Sequence, residues 1–343
     1  MIDWSLARRI ARLAAGSAPA EPLPGDLDAL ARDAEQRVVE YTQLIPGSSL
    51  PPPEQVNRAE WADINLRGLR AVLDPVTERL QPKVGGALGG PLRGAAGGML
   101  AVEVGGLTGL LAQRVLGQYE LVLLDPDSPT RLLLLAPNLI EAAHKLDVDL
   151  DQLLAWVAFH EVTHAVQFTS VPWLRGHLAG MLGELLETVD IDVDLKSLRI
   201  PSRADFDRMR DAFREGGLVM LVAGPERKAV LDQLQATMAV IEGHAEHVMD
   251  AVGRDVLPDL DDLRRALDRR RADRSGLWRL LERVLGLELK MRQYEVGKRF
   301  CDAVVARAGI DGLNEAFASP ESLPTWSELD RPDVWLARVR PAA

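Results

Sequence analysis

The sequence of residues 149–168 is DLDQLLAWVAFHEVTHAVQF, an apolar segment that contains two histidines four positions apart. Its apolar residues recur at helical spacing, and Asp149 or Asp151 is placed to cap the first turn. At about 100° per residue, one narrow stripe of the predicted helix carries Leu153, Val157, His160 and His164. Both histidines are therefore predicted to face the protein core.

A metal ion would explain why two histidines share this buried stripe. Burying two imidazoles costs free energy unless their nitrogens find partners, and one metal ion bound by His160 and His164 satisfies both rings. Glu161 follows the first histidine directly, so its carboxylate can approach a metal-bound water as a general base without binding the metal. Zinc lowers the pKa of such a water towards about 7. The alternative is a chance HExxH sequence whose histidines are satisfied by hydrogen bonds in the core.

Catalytic zinc usually has three protein ligands, so a third must come from elsewhere in the chain. The best candidate lies on the predicted helix 231–252, which includes IEGHAEH at residues 241–247. Glu242 and Glu246 share one flank of its apolar stripe, which favours Glu242 as the third ligand and Glu246 as the group that orients a bound histidine. His244, on the other flank, is the alternative ligand, and a solvated pair of glutamates is the alternative to metal binding.

A late helix could supply a further catalytic group. Residues 290–297, KMRQYEVG, follow a helical pattern and contain Tyr294, one of three tyrosines in the chain. Tyr294 or Arg292 could stabilise the oxyanion that forms when water attacks a carbonyl, and Tyr294 is the candidate we name. The alternative is a surface helix with one packed tyrosine.

Glycines inside predicted helices indicate places where helix backbones approach each other. Gly243 lies in the helix of Glu242, where a glycine lowers helix stability and often marks another backbone nearby. Residues 83–117 form Gly- and Ala-rich helices with glycines four positions apart, including Gly105 and Gly109. No Gly-Lys-Ser/Thr follows this run, so close helix packing is favoured over a phosphate-binding loop.

The composition is that of a globular protein, and 343 residues are enough to bury a large core. The net charge of -11 argues against nucleic acid or an anionic membrane as the main partner. Arg93 and Glu103 interrupt the most apolar segment, which predicts a buried helical hairpin and no membrane insertion. The N-terminus does not resemble a secretory signal, so a cytoplasmic location is expected. The single cysteine, Cys301, is assigned to packing and leaves His, Asp or Glu as metal ligands.

Outside these segments the sequence predicts a mainly α-helical fold with one small sheet. Helical spacing resumes near Glu54 after a Pro- and Ser-rich loop. Two short apolar runs, at 118–124 and 131–136, are bounded by turn residues and predict two strands next to the HExxH helix. We expect three regions, namely N-terminal helices over 1–117, a metal-binding core over 118–310, and a closing loop and short helix over 311–343.

Four stretches together resemble a family of zincin-like hydrolases that is associated with deazaflavin coenzyme biosynthesis. They are HEVTHAVQF, IEGHAEHVMD, KMRQYEVGKRF and LPTWSELDRPDVWLARV, and the likeness extends over nearly the whole chain. The resemblance implies a mainly helical zincin-like core with His160 and His164 as zinc ligands and Glu161 as catalytic base. It also implies that Glu242 occupies the third ligand position of gluzincins. Two departures from thermolysin-like gluzincins are the long gap before Glu242 and Glu246 where an aspartate is usual.

The function expected from these residues is that of a zinc-dependent hydrolase, most simply a metallopeptidase that cleaves a peptide or small amide bond. Zinc is preferred from the ligand types, although His and carboxylate sites accept several divalent metals. The alternative is a non-catalytic scaffold or partner-binding protein that keeps the metal for folding. In that case a fourth side chain such as His244 would close the coordination.

Overall fold

Helices make up most of this protein, as the sequence predicts. The computed structural model describes residues 2–18, 21–85, 90–125, 127–187, 225–272 and 287–341. The helices in these ranges are Trp4–Ala15 (α1), Leu27–Thr42 (α2), Arg58–Gly85 (α3), Gly90–Ala112 (α4), Ala136–Leu146 (α5), Leu150–Ser170 (α6), Pro172–Glu187 (α7), Pro225–Val256 (α8), Leu260–Ala272 (α9), Leu287–Asn314 (α10), Trp326–Leu329 (α11) and Pro332–Val339 (α12). No helix in the described ranges is both long enough and apolar enough to cross a membrane.

One small sheet accompanies the helices. Its three strands are Pro53–Val56 (β1), Gly117–Glu120 (β2) and Arg131–Leu135 (β3), in the order β1-β3-β2. The central strand β3 is parallel to β1 and antiparallel to β2. The two strands predicted from the sequence are β2 and β3, although β2 ends at Glu120 instead of residue 124.

Strand β1 corrects the expectation that helical spacing resumes near Glu54. Pro53 is the first residue of an edge strand, a position where the missing N–H of proline is tolerated. Helix α3 begins directly after Asn57, whose side chain accepts the N–H of Glu60 while the Glu60 carboxylate accepts the Asn57 N–H. This capping pair places the start of the helix. The strand before it is too short and too polar to show an alternating pattern.

The chain divides into two compact units. The first contains the described residues in 2–28 and 51–157, and the second contains those in 29–50, 158–187 and 225–341. This division follows packing within the chain, and the three regions expected from the sequence stay a prediction.

The sheet and the Gly- and Ala-rich helices build the core of the first unit. The leucines of β3 are fully buried. Helices α1 and α4 lie with their backbones in contact, because a Cβ atom on Gly105 would lie 3.0 Å from the Cα atom of Ala7. A Cβ atom on Gly109 would lie 2.6 Å from that of Ala14. The predicted close packing is confirmed at these two glycines.

The second unit is built around α8 and α10. The apolar stripe predicted for α8 is largely buried, including Ile241, Ala245 and Val248. Helix α10 changes direction at Gly309, whose φ of 69° is a left-handed conformation that favours glycine. Cys301 on α10 is fully buried, and this burial raises the pKa of its thiol. The packing role predicted for Cys301 is confirmed.

A buried carboxylate fixes the C-terminal segment of the second unit. Glu328 accepts the backbone N–H of Thr325 at 2.8 Å, so the two residues form a capping box at the start of α11. The Arg338 guanidinium donates to both Glu328 oxygens, at 2.8 and 3.0 Å. Burial alone would raise the pKa of Glu328, but the bonds from Arg338 and Thr325 outweigh it and hold the pKa below its usual value. Glu328 is therefore ionised in the folded protein.

We expect Glu328→Gln to lower the free energy of unfolding by about 1–2 kcal/mol near neutral pH, because a charged hydrogen-bond acceptor is lost. The folded-state pKa lies below the ordinary value of 4.5, so this contribution is present above that pH and is lost as pH falls through the folded-state pKa. Urea unfolding of both proteins at neutral and at acidic pH measures it. Glu315→Gln, which removes a more exposed pair with Arg340, is the control and should cost less. An equal loss at both pH values would contradict the assignment.

Candidate metal centre

Helix α6 carries the HExxH sequence, and its start follows the predicted pattern. Asp149 caps the helix by accepting the N–H of Gln152 at 2.9 Å. The apolar stripe predicted for this helix is buried. His160 and His164 lie one turn apart beside it, and their Nε2 atoms are 3.3 Å apart. The two rings therefore turn the same nitrogen towards a common point.

Glu242 on α8 joins this cluster. Its Oε2 lies 3.4 Å from His164 Nε2 and 3.9 Å from His160 Nε2. Each of the three residues offers one atom within 4.8 Å of the others, and they form the one such group of His, Cys, Asp or Glu within the described ranges. The structure thus brings together three predicted ligands from two helices that are far apart in the sequence.

The spacing of these atoms fits a tetrahedral zinc ion. Zinc binds imidazole nitrogen and carboxylate oxygen at about 2.0–2.2 Å, so two ligand atoms at a tetrahedral angle lie about 3.3 Å apart. The observed separations are 3.3, 3.4 and 3.9 Å. The side chains of His160, His164 and Glu242 are only 16%, 11% and 18% exposed, and the Glu242 Oε2 atom itself is shielded from solvent. Two imidazoles and one carboxylate are a donor set found in catalytic zinc sites, where a water molecule takes the fourth position.

The two histidines have opposite pKa shifts. Burial, together with the charge of His164, lowers the pKa of His160. Burial acts in the same direction on His164, but the charge and hydrogen bond of Glu242 outweigh it and raise the pKa of His164 to about 9. In the metal-free protein His164 is therefore positively charged at neutral pH and neutralises Glu242. A metal ion bound to His164 Nε2 would replace that proton.

Glu161 lies beside the three clustered residues and is not one of them. Its side chain is buried, and its negative charge acts to raise the pKa of both His160 and His164. Its carboxylate does not fall within the group of mutually close ligand atoms found among the described residues. A general base needs this placement, near the reacting water but outside the ligand set.

Gln167 was not predicted as a site residue, yet it joins the two helices that carry the cluster. Its Oε1 lies 2.9 Å from His164 Nδ1. Its Nε2 lies 3.0 Å from the Ile241 carbonyl oxygen and 2.9 Å from His244 Nδ1. The spacing could have revealed it, because Gln167 follows His164 by three residues and His160 by seven, on the same helix face.

His244, the alternative third ligand, is turned to Gln167. It is fully buried, and its ring meets Phe317 edge-on with 5.2 Å between the centroids. Burial, with the charges of His247 and His164, lowers the pKa of His244 to about 3, so the ring is neutral. The geometry brings Glu242, and not His244, to the two histidines of α6.

Two other predicted site residues stay predictions. Glu246 is buried, its Oε2 lies 3.6 Å from Arg264 Nη2, and its charge acts to raise the pKa of His160. The described contact of His160 Nδ1 is Met249 Sδ, at 3.0 Å. The role expected for Glu246, orienting a bound histidine, stays a prediction. Tyr294 lies outside the residues whose side chains the structure describes.

A hydrogen-bonded network beside the cluster was not predicted from the sequence. Asp302 on α10 accepts from His247 Nδ1 at 2.7 Å and from Lys298 Nζ at 2.6 Å. His247 Nε2 lies 2.7 Å from the hydroxyl of Tyr41 on α2. Lys298 also pairs with Asp250 at 2.9 Å. The network holds α2, α8 and α10 together, and apart from the i, i+4 pair of Lys298 and Asp302 no local sequence pattern connects its members.

Close contact between two helix backbones sets the position of Glu242. A Cβ atom on Gly243 would overlap the Gly297 backbone of α10 and lie 2.7 Å from the Lys298 nitrogen. A Cβ atom on Gly297 would overlap the Ala239 carbonyl group of α8. The prediction that Gly243 marks a close backbone approach is confirmed. Because Gly243 directly follows Glu242, this backbone contact holds the part of α8 that carries Glu242 against α10.

The fold and the cluster define a mainly helical protein with a candidate metal centre of two histidines and one glutamate. The chain matches the model of the zincin-like metallopeptidases over residues 2–336 and belongs to that family. It is also similar to a protein from Chloroflexus aurantiacus whose crystal structure is described as that of "a putative hydrolase with a novel fold". The two chains are 27% identical, with a TM-score of 0.75 over 100% of each chain. No curated protein matches the chain.

These comparisons confirm the coarser expectations from the sequence. Membership of the family implies zinc binding, and both similarities support a hydrolase. The zincin-like resemblance and the mainly helical fold with one small sheet are therefore confirmed. Neither comparison bears on deazaflavin coenzyme biosynthesis, which stays a prediction.

We expect Gly297→Ala to lower the free energy of unfolding by about 1–3 kcal/mol or more, because the added methyl group meets backbone atoms that cannot move aside cheaply. Gly180→Ala on α7 is the matched control. A Cβ atom there meets nothing within 4 Å, and alanine is favoured over glycine in a helix by about 1 kcal/mol. Urea unfolding compares the three proteins. A Gly297→Ala protein as stable as the wild type would show that α8 and α10 do not cross at this residue.

Proposed function

We propose that this protein is a zinc-dependent hydrolase of the metallopeptidase type, in which His160, His164 and Glu242 bind the zinc ion. The observation that carries the proposal is the near-tetrahedral spacing of three ligand atoms from two helices that are far apart in the sequence. Membership of the zincin-like metallopeptidase family supports it. The proposed substrate is a peptide or a small amide.

Each residue of the cluster has a distinct task in this proposal. A zinc ion held there would supply a Lewis acid that polarises a carbonyl group and makes water acidic near neutral pH. Glu161 accepts the proton of the attacking water, since its carboxylate lies beside the ligands. Glu242 contributes the single negative charge among the three ligands, so the centre keeps a net positive charge. With a zinc ion bound, that charge would stabilise the oxyanion that develops on the carbonyl oxygen.

Two further residues complete the proposal. Tyr294 is the candidate donor to the oxyanion, because a phenol can hydrogen-bond to an oxygen that gains charge during attack. Glu246 is the candidate partner that orients His160, and its effect on the pKa of that ring supports the choice.

Metal content tests the ligand set. We expect about one equivalent of zinc in wild-type protein purified without added metal, and little in His164→Ala or Glu242→Ala, since each removes one of three ligands. Mass spectrometry of the purified proteins gives the value. His144→Ala is the matched control, because His144 is an exposed histidine outside the cluster. A wild-type protein without zinc, even after zinc addition and dialysis, would contradict the proposal.

Turnover tests the role of Glu161. We expect Glu161→Gln to keep its zinc and to hydrolyse at least about 100-fold more slowly, because the amide cannot take up the proton of water. The probes are fluorescently labelled casein and a library of quenched peptides. Undiminished turnover in Glu161→Gln would exclude Glu161 as the base. A zinc-loaded wild type that cleaves no probe and only loses thermal stability on chelation would favour the scaffold function instead.

A further inference from the structure

A main-chain carbonyl fixes the orientation of the buried Gln167 amide. The Ile241 carbonyl oxygen can only accept a hydrogen bond, so the Gln167 atom 3.0 Å from it must be the Nε2 donor. The Oε1 atom is then the one that faces His164 Nδ1 at 2.9 Å. Gln167 is fully buried, so its amide has no solvent to turn towards.

This orientation determines which nitrogen of His164 carries a hydrogen. An amide oxygen only accepts, so His164 Nδ1 must donate to it. In the neutral ring, Nε2 is then the nitrogen with the free lone pair. That atom lies 3.3 Å from His160 Nε2 and 3.4 Å from Glu242 Oε2, within the proposed ligand set. Gln167 therefore selects the form of His164 that can bind a metal ion through Nε2.

The second hydrogen of the amide gives His244 a role other than that of a ligand. Gln167 Nε2 lies 2.9 Å from His244 Nδ1, so His244 Nδ1 accepts and the neutral ring keeps its hydrogen on Nε2. The ring is held in turn by its edge-on contact with Phe317. His244 and the Ile241 carbonyl thus hold the nitrogen end of the amide, while the oxygen end faces His164.

We propose that Gln167 is a positioning residue that fixes the tautomer and the orientation of His164 for metal binding, with His244 and the Ile241 carbonyl as its supports. The inference rests on the proposed zinc site. Metal-binding histidines usually donate their other N–H to a carboxylate, a carbonyl or water, and loss of that partner lowers metal affinity by about 10- to 100-fold. A neutral amide can accept from His164 and donate to Ile241 at once, whereas a carboxylate can only accept.

Two substitutions separate positioning from packing. Gln167→Leu removes both ends of the amide, and Gln167→Glu keeps an acceptor for His164 but turns a second acceptor towards the Ile241 carbonyl. Thr163→Val is the matched control, because Thr163 is fully buried on the same helix and its hydroxyl donates to the Phe159 carbonyl. Competition with a chromophoric chelator measures zinc affinity. Urea unfolding of the metal-free proteins measures stability separately.

We expect Gln167→Leu to bind zinc about 10- to 100-fold more weakly than the wild type, and Gln167→Glu to recover most of that affinity although its fold is less stable. Thr163→Val should lose stability but keep zinc affinity within about threefold. Affinity that follows stability across the three variants would overturn the proposal, because a packing role moves both together. Unchanged affinity in Gln167→Leu would overturn this inference alone, whereas a wild type that binds no zinc would overturn the zinc site as well.

A measurement on the unaltered protein covers the case in which Gln167→Leu does not fold. Nitrogen-15 spectra of the zinc-loaded wild type report which nitrogen of each histidine ring carries a hydrogen and which binds the metal. We expect a protonated Nδ1 and a metal-bound Nε2 for His164. A metal-bound Nδ1 would overturn the proposal, since Gln167 Oε1 could then receive no hydrogen bond from that ring.

Discussion

The candidate metal centre depends on the register between α6 and α8, two helices that are far apart in the sequence. A shift of α8 by one residue moves it by about 1.5 Å along its axis and 100° around it, which would carry Glu242 away from the two histidines. Gln167 holds this register from α6 through the Ile241 carbonyl. The backbone contact between Gly243 and Gly297 holds α8 from the other side, against α10. The hydrogen bond from Gln167 to Ile241 fixes the position of α8 along its axis, and the contact with Gly297 fixes the distance of α8 from α10.

Helical geometry explains which parts of the site could be predicted from the sequence. His160 and His164 are four residues apart, so they share a helix face whatever surrounds them. The choice between Glu242 and His244 depends instead on how α8 is rotated, and α10 sets that rotation through tertiary packing. Gly243 indicated a close contact, because glycine destabilises a helix interior and often marks a neighbouring backbone. The sequence could not identify Gly297 as the residue on the other side of that contact.

Non-local hydrogen bonds account for what the sequence could not show. Strand β1 is four residues long, and its register is set by the parallel partner β3. Two partners of Gln167, Ile241 and His244, lie on α8, and the members of the Tyr41, His247 and Asp302 network come from three helices. The sequence pattern around one residue gives no information about its hydrogen-bond partner on another helix. Only the position of Gln167 on the histidine face gave a local hint.

Buried charge in and around this cluster is compensated by other groups of the chain. A closed structural site leaves its ligands without compensation when the metal is absent, which is why such domains unfold under chelation. Here a proton on His164 balances Glu242, and Arg264 faces Glu246. The charges of these two glutamates are therefore balanced by groups of the chain itself. A cluster whose charges the chain balances holds its ligand atoms close together before a metal ion binds, which is the preorganisation that the proposed zinc hydrolase would use.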